Sequence, residues 1–286
     1  MDWMKILSEA IDFMEEHLME PIDAEAVAAS VNTSSFYFQK GFKIITGYSV
    51  GEYIRNRRLY LAALDIFGTD NRIIDISMKY GYETPESFSK AFSRFHGVSP
   101  VQVKNQVNSI QPFLPLNIKL SVEGGRKLEV DIVSMNSFKI IGIEGTFEYE
   151  NAFRDIPPMW NYYIENYMER CCREYKNCNI GKYGVNLGED GNNKTFRYLI
   201  AGDYHGGEIP EGMKVIEIPK HTWAKFHCTG PMPGALQALN SKIFSEWLPG
   251  NGTYEIAAPI NIELYTFGDI HAPGYESGIW IPVKRI

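Results

Sequence analysis

Two helix–turn–helix patterns in the first hundred residues constrain this chain more than any other feature. Asp23 is placed to cap a short helix, Ala24 to Ser30, and Asn32-Thr33-Ser34 then offers a turn and a cap for a second helix, Ser35 to Ile45. The pattern returns where Asn71 stands before Arg72 to Tyr80, Gly81-Tyr82-Glu83-Thr84 turns the chain, and Pro85 opens a helix that reaches His96. Gly97-Val98-Ser99-Pro100 closes it. Residues 1–104 are therefore expected to be short helices without strands, with Ile6, Ala10, Phe13, Met14 and His17 at helical spacing. Phe88, Phe92 and Phe95 share one helix face and are expected in the core.

Charge is distributed in a way that suits such motifs. The net charge of −7 argues against indiscriminate binding of nucleic acid. Asp2, Glu9, Asp12, Glu15, Glu16, Glu20, Asp23 and Glu25 crowd the opening stretch, opposed only by Lys5. From Ala26 to Lys104 ten bases outnumber six acids. A basic face on an acidic chain suits phosphate contact at chosen positions. No run of 18 apolar residues occurs, and Asp2, Lys5 and Glu9 interrupt the N-terminus where a signal peptide would be apolar, so a cytoplasmic protein without a membrane partner is expected. Cys171, Cys172, Cys178 and Cys228 lack CxxC spacing, so neither a metal site nor a disulfide framework is expected, and no cofactor is called for.

The length exceeds what one core usually serves. The prolines and polar residues between Asn105 and Leu116 read as a linker, which gives a DNA-binding domain at 1–108, a linker at 109–117 and a second domain at 118–286. In that second domain strand patterns alternate with two helical stretches, near Pro158 to Arg173 and Ala235 to Trp247. The order strand, helix, strand, strand occurs from about Lys139 to Asp203 and again from about Trp223 to Lys284. The fold class is thus multidomain: an all-α part followed by an α+β part with an antiparallel sheet of duplicated βαββ units around a cleft. Pro157-Pro158 and Pro231-Met232-Pro233 suggest an equivalent proline corner before each helix. In the strand from Ile260 to Phe267, Asn261, Glu263, Tyr265 and Phe267 share a face. Spacing alone leaves Glu263 either an ordinary surface acid or, among aromatic faces, a counter-charge for an organic cation.

Gly81 to Phe92, with Gly97-Val98-Ser99-Pro100 and the upstream Phe36 to Ser49, resembles the signature of AraC/XylS-type regulators over about the first third of the chain. The resemblance implies a single-chain reader of promoter DNA whose two recognition helices enter successive major-groove segments. It points Ser35, Phe36, Gln39 and Lys40 of the first helix toward bases and Lys43 toward phosphate. On the second, Glu86, Ser87, Ser89 and Lys90 face bases and Arg94 phosphate. Glu86, Ser93 and Val103 depart from the family pattern, which bears on the operator sequence and not on the fold. RNA polymerase stands as a further candidate partner.

Trp223-Ala224-Lys225-Phe226, Gly230 to Pro233, Glu246 to Pro249, Ile262 to Tyr265 and Trp280 to Val283 together resemble a GyrI-like effector-binding domain from about Lys127 to Ile286. The resemblance implies two related halves facing across a cleft, with Glu263 matching the buried glutamate by which drug-sensing members hold bulky hydrophobic cations. Trp223, Tyr265 and Trp280 are then candidate walls, with Trp160 and Tyr163 beside them. The order of the two parts resembles that of Rob-type regulators. Some GyrI-like proteins are hydrolases, and a protein-interaction domain is a third reading. No GxSxG, HExxH or GxxxxGK[ST] motif occurs, so the expectation is a regulator and not an enzyme.

Overall fold

The computed structural model describes residues 3–104, 110–118, 128–173, 179–188 and 194–286. They divide into two compact units. The described residues of Lys5–Ser35 and Thr46–Leu120 form a helical unit, and those of Met1–Met4, Phe36–Ile45 and Ser121–Ile286 form a sheet unit.

The helical unit contains most of α1 (Trp3–Glu16), then α2 (Ala24–Ser30), α4 (Val50–Gly68), α5 (Ile73–Lys79), α6 (Pro85–His96) and α7 (Pro100–Val103). Local capping sets several of these boundaries. Asp23 Oδ1 accepts from the amides of Glu25 and Ala26, and Thr84 Oγ1 accepts from that of Ser87 immediately before Pro85. Asn71 does not cap α5, which begins after Arg72 without a side-chain cap. Leu59, Ala62, Ala63, Ile66, Ile76, Tyr80, Phe88, Phe92 and Val103 form one core cluster of the unit, with Phe95 packed against it.

Part of the basic surplus is consumed inside this unit. Arg57 pairs with Glu15 at 2.7 Å, Arg58 donates to the carbonyls of Leu18 and Glu20, and Lys79 pairs with Asp65 at 2.6 Å. The described part of the predicted linker is also held: Phe113 packs against Tyr48, Tyr53 and Phe95, its carbonyl accepts from Arg57, and Gln111 N donates to His96 Nδ1. Asn105 to Ser109 lie outside the described residues.

The sheet unit holds α3 (Ser35–Thr46) from Phe36 to Ile45 and an antiparallel sheet of β1 (Val130–Met135), β2 (Phe138–Glu148), β3 (Tyr183–Gly188), β4 (Thr195–Asp203), β5 (Lys214–Ile218), β6 (His221–Thr229), β7 (Tyr254–Ile256), β8 (Ile260–Tyr265) and β9 (Glu276–Arg285). Its order is β1-β6-β9-β8-β3-β4-β2-β5, with β7 beside β9. Reading outward from the central β3–β8 pair gives β4, β2 on one side and β9, β6 on the other. That is the same second, third, first sequence within each βαββ unit, a pseudo-twofold arrangement. The leading strand of each half is exchanged: β1 precedes β2 but pairs with β6, and β5 precedes β6 but pairs with β2.

Each half carries a helix containing a π turn. In the first, α8 (Ala152–Tyr163) continues through a π turn at Ile164–Met168 into α9 (Glu169–Arg173); in the second, α10 (Gly234–Lys242) continues through Ile243–Trp247 into α11 (Leu248–Gly250). The expected proline corners are not equivalent. Pro157 and Pro158 lie inside α8, which starts after Asn151, whereas Pro233 directly precedes α10. Both α8 prolines are exposed, so the carbonyls they leave without an amide donor can be hydrated.

The sheet's two faces differ. One carries Ile140, Tyr183, Val185, Leu199, Ile218, Trp223, Ile262 and Trp280, and the sheet curls around this core: Phe138 on β2 and Trp223 on β6 come within 6.5 Å although four strands separate them in the order. The opposite face bears Tyr198, Phe226 and Glu263 and meets α8 through Trp160 and the π turn of the second half through Trp247.

Candidate functional site

On α6 the apolar face turns Phe88 and Phe92 into the helical core, which leaves Glu86, Ser87, Lys90 and Arg94 exposed and Ser89 half-buried. Glu86, Lys90 and Arg94 recur every fourth residue and so form one stripe along the helix. His96 closes the buried side. Its Nδ1 accepts from Gln111, which leaves Nε2 as the donor to the Leu59 carbonyl, and burial lowers the imidazole's pKa and keeps it neutral.

The first recognition helix sits differently. Phe36, Tyr37, Phe38, Gln39 and Phe42 of α3 are all buried, while Lys40, Lys43 and Ser35 are half-buried. Phe36 meets Phe196 and Tyr149 edge-on, and the Tyr37 hydroxyl donates to the Ile260 carbonyl. Gly41 is needed for this approach, because a Cβ there would overlap Trp3 and stand 2.8 Å from Phe244. Lys40 Nζ donates to Asn261 Oδ1 at 2.7 Å. Of the expected base-facing side chains, Phe36 and Lys40 are therefore turned into the sheet unit in this conformation, and Gln39 is buried. Three consecutive aromatics, Phe36-Tyr37-Phe38, were the available signal, since a helix with apolar residues on several faces needs cover on more than one side.

Glu263 stands where α3 meets the sheet. Its Oε2 accepts from the Tyr265 hydroxyl at 3.0 Å and the Tyr198 hydroxyl at 3.2 Å. Trp160 Nε1 donates to Tyr198 Oη at 3.0 Å, and its ring lies 5.0 Å from that of Tyr265, edge to face. Cross-strand register explains the cluster. Glu263 pairs with Gly184, and Asn261 with Asn186, which in turn pairs with Tyr198. A Cβ on Gly184 would overlap Tyr198 Oη and come 2.9 Å from Glu263 Oε2, so only glycine leaves the phenol a path to the carboxylate. Burial and the Glu263 charge hold the Tyr198 and Tyr265 phenols well above their usual range, so both stay protonated donors. Lys40 also feels Glu263: burial pulls its ammonium down to about 8, against the raising pull of the carboxylate.

Trp223 and Trp280 do not join this cluster. Trp280 pairs with Ile262 and with Lys225, and Trp223 lies in the same core, so both belong to the face opposite Glu263. There Lys225 Nζ lies 3.7 Å over the Trp280 ring. Tyr163 is buried and donates to the Ile180 carbonyl at 2.7 Å, a tie from α8 to the turn before β3. Of the expected wall residues, Tyr265 and Trp160 therefore surround Glu263. Asn261 completes the site together with Tyr198, Gly184 and Asn186, three residues that the sequence does not point to. Alternation marks Asn261 as sharing Glu263's face, whereas Tyr198 and Gly184 need the strand order. Cys171 is buried and Cys228 half-buried against Ser277, and Cys178 lies outside the described residues. Among the described residues no helix is long and apolar enough to cross a membrane.

Comparison with known proteins finds matches over two successive stretches of the chain. Residues 131–283 match the integron-associated effector binding protein family (Cass2), and residues 27–106 match a helix-turn-helix domain family. The regulatory protein SoxS of Escherichia coli K12 is 34% identical over 107 residues, covering 37% of this chain and all of SoxS. The transcriptional regulator Rob of Salmonella typhimurium is 33% identical over 100 residues, 35% of each chain. The solved structure of SAV2435 bound to tetraphenylphosphonium is 21% identical with a TM-score of 0.47, covering 55% of this chain and 94% of that one. The chain belongs to the Cass2, GyrI-like effector-binding family and carries it behind an AraC-type helix-turn-helix domain of the kind found in SoxS and Rob, which makes it a DNA-binding transcriptional regulator.

Proposed function

We propose that the chain is an effector-controlled regulator that takes a bulky lipophilic cation against Glu263 and reads two adjacent major-groove segments. The observation that carries the cation reading is the Glu263 carboxylate itself, which accepts from two phenols beside the Trp160 and Tyr265 rings. Those phenols fix the carboxylate's orientation, and charge attraction and cation–π contact then act on the same ligand. Neutral and anionic compounds lack the first term. For DNA, α6 offers Glu86, Ser87, Ser89 and Lys90 to base edges and Arg94 to phosphate, and α3 supplies Ser35, Phe36, Gln39, Lys40 and Lys43. Sensing and not turnover is the role of the Glu263 cluster.

Calorimetric titration of the full chain with tetraphenylphosphonium tests the cation reading. Glu263→Gln keeps an acceptor for both phenols and removes the charge, so affinity should fall by about tenfold or more, on the order of 1.4 kcal/mol, while the unfolding midpoint holds. Equal affinity in the two proteins would sink the assignment.

A further inference from the structure

We propose that α3 is the resident occupant of the effector cleft, with Lys40 standing in for a ligand's cation, so that docking of α3 and its use in reading DNA exclude each other. The proposal rests on the cation-sensing reading above and adds what controls it. Four contacts dock the helix: Lys40 on Asn261, the Tyr37 hydroxyl on the Ile260 carbonyl, Phe36 against Phe196 and Tyr149, and Gly41 close to Trp3 and Phe244. Asn261 and Glu263 are alternate residues on one face of β8, so the Lys40 ammonium enters the space a ligand's charge would take. Glu263 favours that ammonium electrostatically, and burial opposes it.

The same side chains cannot be inserted in this cleft and in a major groove. Phe36 and Lys40 are among those assigned to bases. An ammonium loses strong hydration on entering the cleft, whereas a delocalised organic cation without N–H donors loses little, so such a ligand can displace Lys40. Displacement releases α3 for DNA. By linkage, the factor by which the cation tightens DNA binding equals the factor by which DNA tightens cation binding.

The experiment uses the full chain, tetraphenylphosphonium, and a duplex selected by the chain from a random pool in the presence of that cation. Saturating cation should tighten binding to the duplex about tenfold or more, and the duplex should tighten cation binding by the same factor. Tyr37→Phe removes a docking contact outside the assigned base contacts and the Glu263 cluster. It should tighten DNA binding without ligand and shrink the cation's effect, and added cation should speed amide exchange in wild-type α3. If the cation binds through Glu263 but leaves DNA affinity and α3 exchange unchanged, the docking inference falls while the sensing reading stands. If the cation fails to bind either protein, the sensing reading falls and the ligand-free arm decides: equal or weaker DNA binding by Tyr37→Phe overturns the inference, and tighter binding upholds it.

Discussion

The Tyr198–Glu263 contact crosses β3 at Gly184, a residue without a side chain. Gly184 lies in register with Glu263 and under the Tyr198 hydroxyl, so its role is close approach and not chain flexibility. Gly184→Ala should therefore force the buried Tyr198 ring off the carboxylate and lower stability by about 1–3 kcal/mol, the usual cost of overpacking. Tyr198→Phe in the same chain removes the oxygen that the new methyl would strike. Thermal unfolding should then show the double variant recovering much of the loss, and additive losses would mean that the clash lies elsewhere. This residue-scale detail lies beyond pattern reading. Alternation along β8 separates Glu263 from Ile262, but it cannot reveal that Trp280 is in register with Ile262 and hence belongs to the other face.

Helices differ in how much of their placement is local. α6 was legible because Thr84, Pro85 and Gly97 mark its ends from within the helix's own segment. At α8 the prolines mislead: they lie on an exposed side of a helix that has already begun, so a signal usually read as a start sits in the interior. α3 has the expected span, but its surroundings depend on strands some two hundred residues away. The exposed stripe of α6 makes a direct expectation. Lys90→Ala should cost about 1–3 kcal/mol on a selected duplex and much less on random DNA, measured by anisotropy, and equal loss on both would remove Lys90 from base reading. Docking of α3 should depend on pH with a definite sign. Lys40 titrates at about 8 when buried and near 10.5 when free, so between those values the released state holds a proton that the docked state has lost. Docking then strengthens as pH rises from 8 toward 10. Burial in the docked position holds the Tyr37 phenol above its usual 10.0, so above pH 10 the released state loses a proton that the docked state keeps, and the trend reverses. Amide exchange in α3, corrected for its intrinsic base catalysis, should show protection peaking near pH 10, whereas flat or falling protection from 8 to 10 would contradict the assignment.

Across the whole chain, the duplicated βαββ order was visible in sequence, but the exchange of β1 and β5 between the halves was not, because no local pattern encodes which distant strand completes an edge. The same limit concealed the grouping of Phe36–Ile45 with the sheet unit, although helix and sheet were each foreseen. Charge offers a test of the coupling at this scale. The chain is acidic overall, and Arg57, Arg58 and Lys79 are engaged within the helical unit, so fewer cations remain to meet phosphate than the basic surplus suggests. Each phosphate neutralised adds about 0.9 to the slope of log K against log salt. With α3 docked, contacts come from α6, chiefly Arg94; with α3 released, Lys43 is added at phosphate and Lys40 at the groove. Saturating cation should thus steepen the salt slope by about 1–2 as well as raise affinity. A rise in affinity at constant slope would mean that the ligand strengthens existing contacts instead of adding a second helix. The salt dependence, more than affinity alone, therefore distinguishes a released recognition helix from a tightened one.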